Sequence, residues 1–214
     1  MFTIENLNTL KKHGHVTSHN IFVNLKKIGV KEYSSILDDH EINHTLVGGE
    51  CLIIDTPLGV NKIPGFSEGK VSVQDFGAQL AAHIIDLKKD QKVLDACAAP
   101  GGKACHMLEL NLIQLLAIES DKKRMIKIQE NINRQGFTAK ILNAKISSQN
   151  EWWDKKLFDR ILLDVPCSAS GIVRRHVDIK WLRRINDFKS FGDDQLDLLR
   201  SAWPMLQKNG KLLY

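Results

Sequence analysis

The stretch Lys92-Val-Leu-Asp-Ala-Cys-Ala-Ala-Pro-Gly-Gly-Lys103 decides the fold of this chain. It begins as a short apolar strand and continues as a loop of small residues, which opens into a helix that begins near Gly102. Backbone can approach a ligand closely at such a loop. The free N–H groups and the positive dipole end of the helix suit an anionic group such as a carboxylate, and Lys103 adds a full charge.

The rest of the chain after Lys88 repeats this alternation of strand and helix. Further strands are predicted at Leu115 to Ile118, Lys140 to Leu142, Arg160 to Leu163 and Lys211 to Tyr214. One helix is predicted from Asp121 to Arg134, with Gly136 as its left-handed cap. Another is expected to place Leu196, Leu199, Trp203 and Leu206 on one face, before a turn at Asn209-Gly210. The alternation predicts a mostly parallel sheet with helices on both faces, whose ligands bind at the carboxyl ends of the strands.

The residues before this unit show a different organisation. Residues 1–20 are polar without a clear period, which is typical of a disordered or cut edge. Residues 21–68 indicate strand, helix and strand, and therefore a small α/β subdomain. The larger α/β domain is expected over 69–214.

Composition limits the class of protein. The chain has 214 residues and a net charge of +5. No run approaches the roughly 18 to 20 apolar residues that span a bilayer, and the N-terminus lacks the pattern of a secretory signal. A soluble, cytoplasmic protein with reduced thiols is therefore predicted.

No metal site is predicted. The cysteines lack paired spacing. No acid or cysteine lies at ligand spacing from the three histidines near the N-terminus. The cysteines are Cys51, Cys97, Cys105 and Cys167, and the histidines are His13, His15 and His19.

Two other strand ends carry candidate site residues. Glu119 closes the second strand of the unit, where an acid can accept hydrogen bonds from ribose hydroxyls. The fourth strand ends in Asp164-Val-Pro-Cys167, which places a carboxylate and a thiol at the same edge. A nucleotide P-loop is excluded because Ala104 follows Lys103 where Ser or Thr is required, and the dinucleotide motif GxGxxG is absent.

These motifs resemble those of the RNA (cytosine-C5) methyltransferases of the Sun or Fmu type. The match is sharpened by the segment Ile172-Val-Arg-Arg-His-Val-Asp-Ile-Lys-Trp-Leu-Arg-Arg184. The resemblance runs from about Ile21 to Tyr214. It implies a Rossmann-like methyltransferase sheet, S-adenosylmethionine as cofactor and 16S ribosomal RNA as substrate, in a monomer without membrane contact. Residues 21–68 then correspond to an RNA-binding-type subdomain.

The resemblance also implies roles for individual residues. The methionine part of the cofactor is expected at Cys97, Ala98, Ala99, Pro100, Gly101, Gly102 and Lys103. Glu119, where the family usually has Asp, is expected at the ribose, and Asp164 beside the reacting centre. Lys145 stands where the family generally offers an acid to adenine, and a lysine cannot accept the amino hydrogens. Val165 for Ala and Val177 for Pro are milder departures.

The family mechanism divides the chemistry between two cysteines. One thiolate attacks C6 of cytosine so that C5 becomes nucleophilic; the other, at the position of Cys167, assists release. The attacking cysteine follows the strand that corresponds to Lys211–Tyr214. It is therefore expected just beyond Tyr214, with this chain a fragment of a longer enzyme.

The basic run near the end of the match indicates contact with RNA. Guanidinium groups pair with phosphates and stack on exposed bases. The candidates are Arg174, Arg175, Lys180, Arg183 and Arg184. Two alternatives stay open: a fragment that binds cofactor and RNA without turnover, and, on fold analogy alone, a nucleotide-dependent oxidoreductase.

Overall fold

The computed structural model describes residues 19–169, 179–182 and 184–214, which form two sheets. The strands are β1 (His19–Val23), β2 (His44–Gly48), β3 (Cys51–Ile54), β4 (Val71–Val73), β5 (Lys92–Ala96), β6 (Gln114–Glu119), β7 (Lys140–Asn143), β8 (Phe158–Leu163) and β9 (Leu206–Leu213). The helices are α1 (Val30–Asp39), α2 (Phe76–Ile84), α3 (Gly102–Leu110), α4 (Lys122–Gln135), α5 (Gln149–Trp152), α6 (Ile179–Leu182) and α7 (Ile185–Ala202).

The larger sheet confirms the predicted fold class. Its five strands run in the order β7-β6-β5-β8-β9, and every neighbouring pair is parallel.

The cap residues of α4 explain where this helix begins and ends. The Asp121 carboxylate accepts hydrogen bonds from the backbone N–H groups of Lys123 and Arg124, and Gly136 ends the helix with φ of 78°. Glycine adopts this left-handed conformation without a steric cost.

Side chains alternate between the two faces of this sheet, so each face has its own core. Val93, Ala117 and Leu162 pack on one face against α2, α3 and α4. Leu94, Ile118 and Ile161 pack on the other against the Ile146–Ser148 turn, α5 and α7. Helices therefore cover both faces, as the alternating pattern predicts.

The end of α7 differs from the sequence-based prediction. The helix stops at Ala202, and Trp203–Met205 forms a 3₁₀ turn because Pro204 has no N–H with which to continue the helix. Trp203 is exposed, and Leu206 already belongs to β9. The common helical face predicted for these two residues was wrong. Asn209, expected in a turn after the helix, lies within β9 with φ of 64°, where the register with β8 shifts.

The smaller sheet is antiparallel, with the order β2-β3-β1-β4, and its core lies against α1. Because β4 pairs with β1, the sheet extends past residue 68, where the sequence pattern placed a domain boundary. Arg134 joins it to α4: its guanidinium donates hydrogen bonds to the carbonyls of Phe66 (2.6 Å) and Val71 (3.0 Å) and to Ser72 Oγ (3.0 Å). In the described part of the chain, no helix has the length and apolar character to cross a bilayer.

Candidate functional site

The carboxyl ends of three neighbouring strands bring the predicted acids together. Ala96 pairs in register with Ile118 on one side and with Leu163 on the other. Glu119 and Asp164 each follow one of these partners, and so they flank the start of the loop after β5. Their proximity therefore follows from the parallel register.

The loop Cys97 to Gly101, called the Gly-rich loop below, is held in an unusual backbone conformation. Cys97 has φ of 64° and Gly101 has φ of 101°. A Cβ atom on Gly101 would lie 3.1 Å from Ile128 Cα, so α4 packs directly against this position. Arg124 donates to the Ala99 carbonyl at 3.2 Å, and Asn131 to the Pro100 carbonyl at 2.9 Å. The loop is therefore held by α4 and opens into α3 at Gly102, as predicted.

Lys103, in the first turn of α3, contacts the acid of β8. Its Nζ lies 2.6 Å from Asp164 Oδ2. The Asp164 side chain is 55% exposed and that of Lys103 is 23% exposed. The lysine charge is therefore paired with a carboxylate at the mouth of the site, in addition to any role toward an anionic ligand.

Asp95 is a buried acid that the sequence-based assignment of site residues missed. It lies beneath the Gly-rich loop, and its Oδ2 accepts no hydrogen bond from the described residues. Burial raises the pKa of Asp95 to about 8, although the charge of Lys103 opposes this shift. Its position in the apolar run Lys-Val-Leu-Asp-Ala is a signal that the sequence did offer.

Burial also affects the neighbouring thiol. It raises the pKa of Cys97 to about 11, with a further contribution from Glu119 and Asp95. Cys97 is therefore a neutral thiol at physiological pH, and it is unsuited to nucleophilic attack. This agrees with a role in contacting a ligand.

Glu119 at the end of β6 is buried, with 3% exposure. Its Oε1 accepts a hydrogen bond from the Asp121 backbone N–H at 3.1 Å. Its Oε2 lies 3.6 Å from Arg124 Nη1 and accepts no hydrogen bond from the described residues. A buried carboxylate oxygen in this state is ready to accept a hydrogen bond from a ligand hydroxyl.

A cavity of about 530 Å³ lies beside Glu119 and is the larger of two that meet at Cys97. The smaller, of about 120 Å³, is lined by Asp95, Lys103 and Asp164 among others. Together the two cavities are called the cleft below. A third cavity, of about 440 Å³, lies at the opposite edge of the sheet where the strands begin. Ligands of such sheets bind at the carboxyl ends, which favours the cleft.

The far wall of the cleft comes from the loop after β7 and from α7. Lys145 is exposed and lines the larger cavity. Phe191 and Asp194 of α7 line it as well, and the sequence-based assignment missed both. No local pattern could have identified them, because α7 reaches the cleft only through its packing on the sheet.

Cys167 lies on the loop after β8 and is exposed. Its Sγ accepts a hydrogen bond from the Ala169 backbone N–H at 3.4 Å. The loop is tied to α7, since Gln195 donates to the Pro166 carbonyl at 2.9 Å. Cys167 is therefore accessible to a large substrate.

Most of the predicted RNA contacts lie outside the described residues. These are Arg174, Arg175 and Arg183; for Lys180 only the backbone, in α6, is described. Arg184 is exposed and immediately precedes α7, where its backbone N–H donates to Asp187 Oδ2 at 2.8 Å. Trp181 is 79% exposed and is not a core residue.

Comparison with known proteins independently supports the resemblance to RNA methyltransferases. Residues 82–214 match the family model described as 16S rRNA methyltransferase RsmB/F. A ribosomal RNA small subunit methyltransferase B of Pseudomonas syringae is 46% identical over 165 residues, which cover 76% of this chain and 37% of that protein. The chain spans between 37% and 46% of the length of the curated relatives it matches.

Solved structures agree with the fold. The crystal structure of PH0851 superposes with a TM-score of 0.86 at 29% identity, over 91% of this chain and 45% of that one. A methyltransferase homolog protein from Pyrococcus horikoshii gives a TM-score of 0.80 at 25% identity, over 95% of this chain and 66% of that one. Both sheets therefore have counterparts in experimental structures.

Proposed function

Because the chain belongs to the 16S rRNA methyltransferase RsmB/F family, we propose that it contributes to S-adenosylmethionine-dependent methylation of cytosine C5 in 16S rRNA, in the cytoplasm. The observation that carries the proposal is the buried Glu119 carboxylate beside a cavity of about 530 Å³. One of its oxygens accepts no hydrogen bond from the described residues. A ribose diol supplies the hydroxyl donors that this oxygen lacks.

The residues of the cleft fit the charges of this cofactor. S-adenosylmethionine, when bound, supplies an electrophilic methyl group to a carbon nucleophile. The Gly-rich loop and the first turn of α3 hold its methionine part, with backbone N–H groups directed to the carboxylate. Asp95, whose Oδ2 accepts no hydrogen bond from the described residues, faces the cationic end of the same part. Glu119 holds the ribose.

The adenine ring lies at the α7 side of the larger cavity in this proposal. Phe191, Ile146 and Leu198 line that region with apolar surface. Asp194 accepts the adenine amino hydrogens, because the ammonium of Lys145 has no acceptor to offer. The Asp197 carboxylate is a weaker candidate, since it already lies 3.5 Å from Arg200 Nη1.

The target cytosine enters from the mouth of the cleft, near Asp164 and Cys167. Lys103 pairs with the Asp164 carboxylate, which can accept a hydrogen bond from the amino group of an unpaired or flipped cytosine. Addition of a cysteine thiolate to C6 makes C5 nucleophilic, so that C5 can take up a methyl group. A base then removes the C5 proton and the thiolate leaves C6, which restores the aromatic ring of the methylated base. We assign assistance of release to Cys167.

Methyl transfer from labelled S-adenosylmethionine to unmodified small-subunit rRNA tests this function. It is measured beside cofactor binding by calorimetry. We expect the chain to bind the cofactor and any labelled product to carry the methyl group at C5 by mass spectrometry. Binding without labelling in every preparation would favour the non-catalytic alternative, and absence of binding would remove the proposal for the cleft. Labelling that disappears in Cys167→Ala would make Cys167 the attacking thiol.

A further inference from the structure

A cluster of three metal-ligating side chains lies away from the cleft, where the small sheet meets the parallel sheet. Glu50 comes from the turn between β2 and β3, His83 from α2 and His106 from α3. One ligand atom from each lies within 4.8 Å of the other two. The Glu50 carboxylate lies 3.5 Å from His83 Nε2, and the two imidazole rings meet edge to face at 5.1 Å.

His106 gives the strongest indication that the cluster has a ligand. The residue is fully buried, and neither ring nitrogen has a hydrogen-bond partner among the described residues. One face of the ring stacks on Phe22 at 4.4 Å. A buried polar group without a partner is costly, and an unseen ion or water is a usual reason for it.

The protonation states also suit a cation. Burial lowers the pKa of His106 to about 4, so the imidazole is neutral at physiological pH and its lone pair is available. The neighbouring His83 lowers the pKa of Glu50, which is therefore a carboxylate. Neutral imidazole and carboxylate are the forms that bind metal ions.

We propose that Glu50, His83 and His106 bind a divalent transition-metal ion of the zinc class. Two imidazoles and one carboxylate leave a fourth position for water in a tetrahedral site. With bonds of about 2.0 to 2.1 Å, tetrahedral ligand atoms lie roughly 3.3 Å apart. The Glu50–His83 distance of 3.5 Å approaches this value, and a ligand atom of His106 lies within 4.8 Å of both.

The surroundings determine the strength and role of the site. The His83 side chain is 30% exposed, which provides an entry path and room for the water. Within the described part of the chain, the second nitrogen of His106 has no carbonyl or carboxylate partner of the kind that usually orients a metal-bound imidazole, so affinity below that of a closed structural zinc site is expected. His106 lies one turn after the Gly-rich loop on α3. The ion would therefore fix the small sheet to the helix that shapes the cleft.

Zinc binding to the untagged, chelator-treated full chain tests the proposal. Equilibrium dialysis with elemental analysis is expected to give one bound ion per chain, and cobalt substitution a visible absorption band. His83→Gln and Glu50→Gln should abolish both signals with an unchanged circular dichroism spectrum, because each substitution nearly conserves the size of the side chain. His40→Gln, at an exposed histidine at the end of α1, is the matched control and should retain both.

Two results would overturn it. One is the absence of zinc binding to the wild-type chain. The other is binding of equal stoichiometry and affinity in His83→Gln, Glu50→Gln and wild type, which would place the ion at other histidines or cysteines. If the single variants unfold, protection of the partly exposed His83 from diethylpyrocarbonate by zinc in the wild-type chain decides the question.

Discussion

The two ends of the cleft are built in different ways. At the Gly-rich loop, most of the lining comes from the stretch Asp95 to Lys103, whose backbone has positive φ at Cys97 and Gly101. The other end is assembled from Glu119, Lys145 and Asp194, which lie on separate elements. Backbone conformation shapes the first end, with the Asp95 carboxyl as its main ionisable group, whereas side chains from separate elements shape the second. Substitutions at the first end should therefore cause a large loss of cofactor binding. At the second end, each substitution should cause a smaller loss that depends on the side chain replaced.

The largest effect is expected for Gly101→Ala. The new Cβ would meet Ile128 Cα at 3.1 Å in a left-handed conformation, and strain of this kind costs about 1–3 kcal/mol. Chemical denaturation should show this loss of stability, and calorimetry should show little or no cofactor binding. Gly77→Ala, in α2 with open space around the glycine, should instead stabilise by roughly 0.5–1 kcal/mol. Equal effects of the two substitutions would contradict a backbone-determined loop end.

Glu119→Gln should weaken cofactor binding by about ten- to a hundredfold. A hydrogen bond to a charged group contributes about 1.5–3 kcal/mol, and the amide replaces one acceptor oxygen with a donor. Calorimetric titration measures the change. Glu130→Gln, on an exposed position of α4, is the control and should bind as wild type does. If the two variants bind equally well, Glu119 does not hold the ribose.

The pH dependence of binding tests the role of Asp95 at the loop end. The pKa of Asp95 is about 8 in the free chain. Below pH 8, binding of a cationic ligand that favours the carboxylate must therefore release the proton of the Asp95 carboxyl. Affinity should rise by up to about tenfold per pH unit between pH 6 and 8 and then level off. Calorimetry in buffers of different ionisation enthalpy counts the proton. An unchanged pH profile in Asp95→Asn would disprove this linkage.

The same raised pKa has a consequence for stability. The unfolded carboxyl ionises near 3.8, whereas the folded one stays protonated up to about 8. Its contribution to stability is therefore complete below pH 3.8 and is lost as the pH rises through 8. In the free chain, Asp95→Asn should remove this loss of stability with rising pH.

The smallest effect is expected for Asp194→Asn. The amide oxygen can still accept one hydrogen bond, so the loss should be that of a typical hydrogen bond, about 0.5–1.5 kcal/mol, or roughly two- to tenfold in affinity. Competition with adenosine measures this end of the cleft alone. Asp193→Asn, next to it and outside the cavity lining, is the control. A loss of affinity as large as that of Glu119→Gln would show that the losses at the second end do not depend on the side chain replaced.

The sequence predicted the regular elements better than their ends. The strands around Lys92 to Leu94 and Arg160 to Leu163 and the helix closed by Gly136 are confirmed, because short-range periodicity and capping determine them. The predicted helical position of Trp203 failed because Pro204 ends the helix regardless of the apolar spacing.

By itself, the sequence determined the parallel α/β fold and the local part of the cleft. Apolar runs of strand length and the small residues from Ala98 to Gly102 carry that information within a few positions of one another. Only the tertiary structure decided which distant side chains meet: Asp194 at the far wall, and Glu50, His83 and His106 at the junction of the sheets. Contacts of this kind depend on how helices pack across a sheet, and no local pattern encodes that packing.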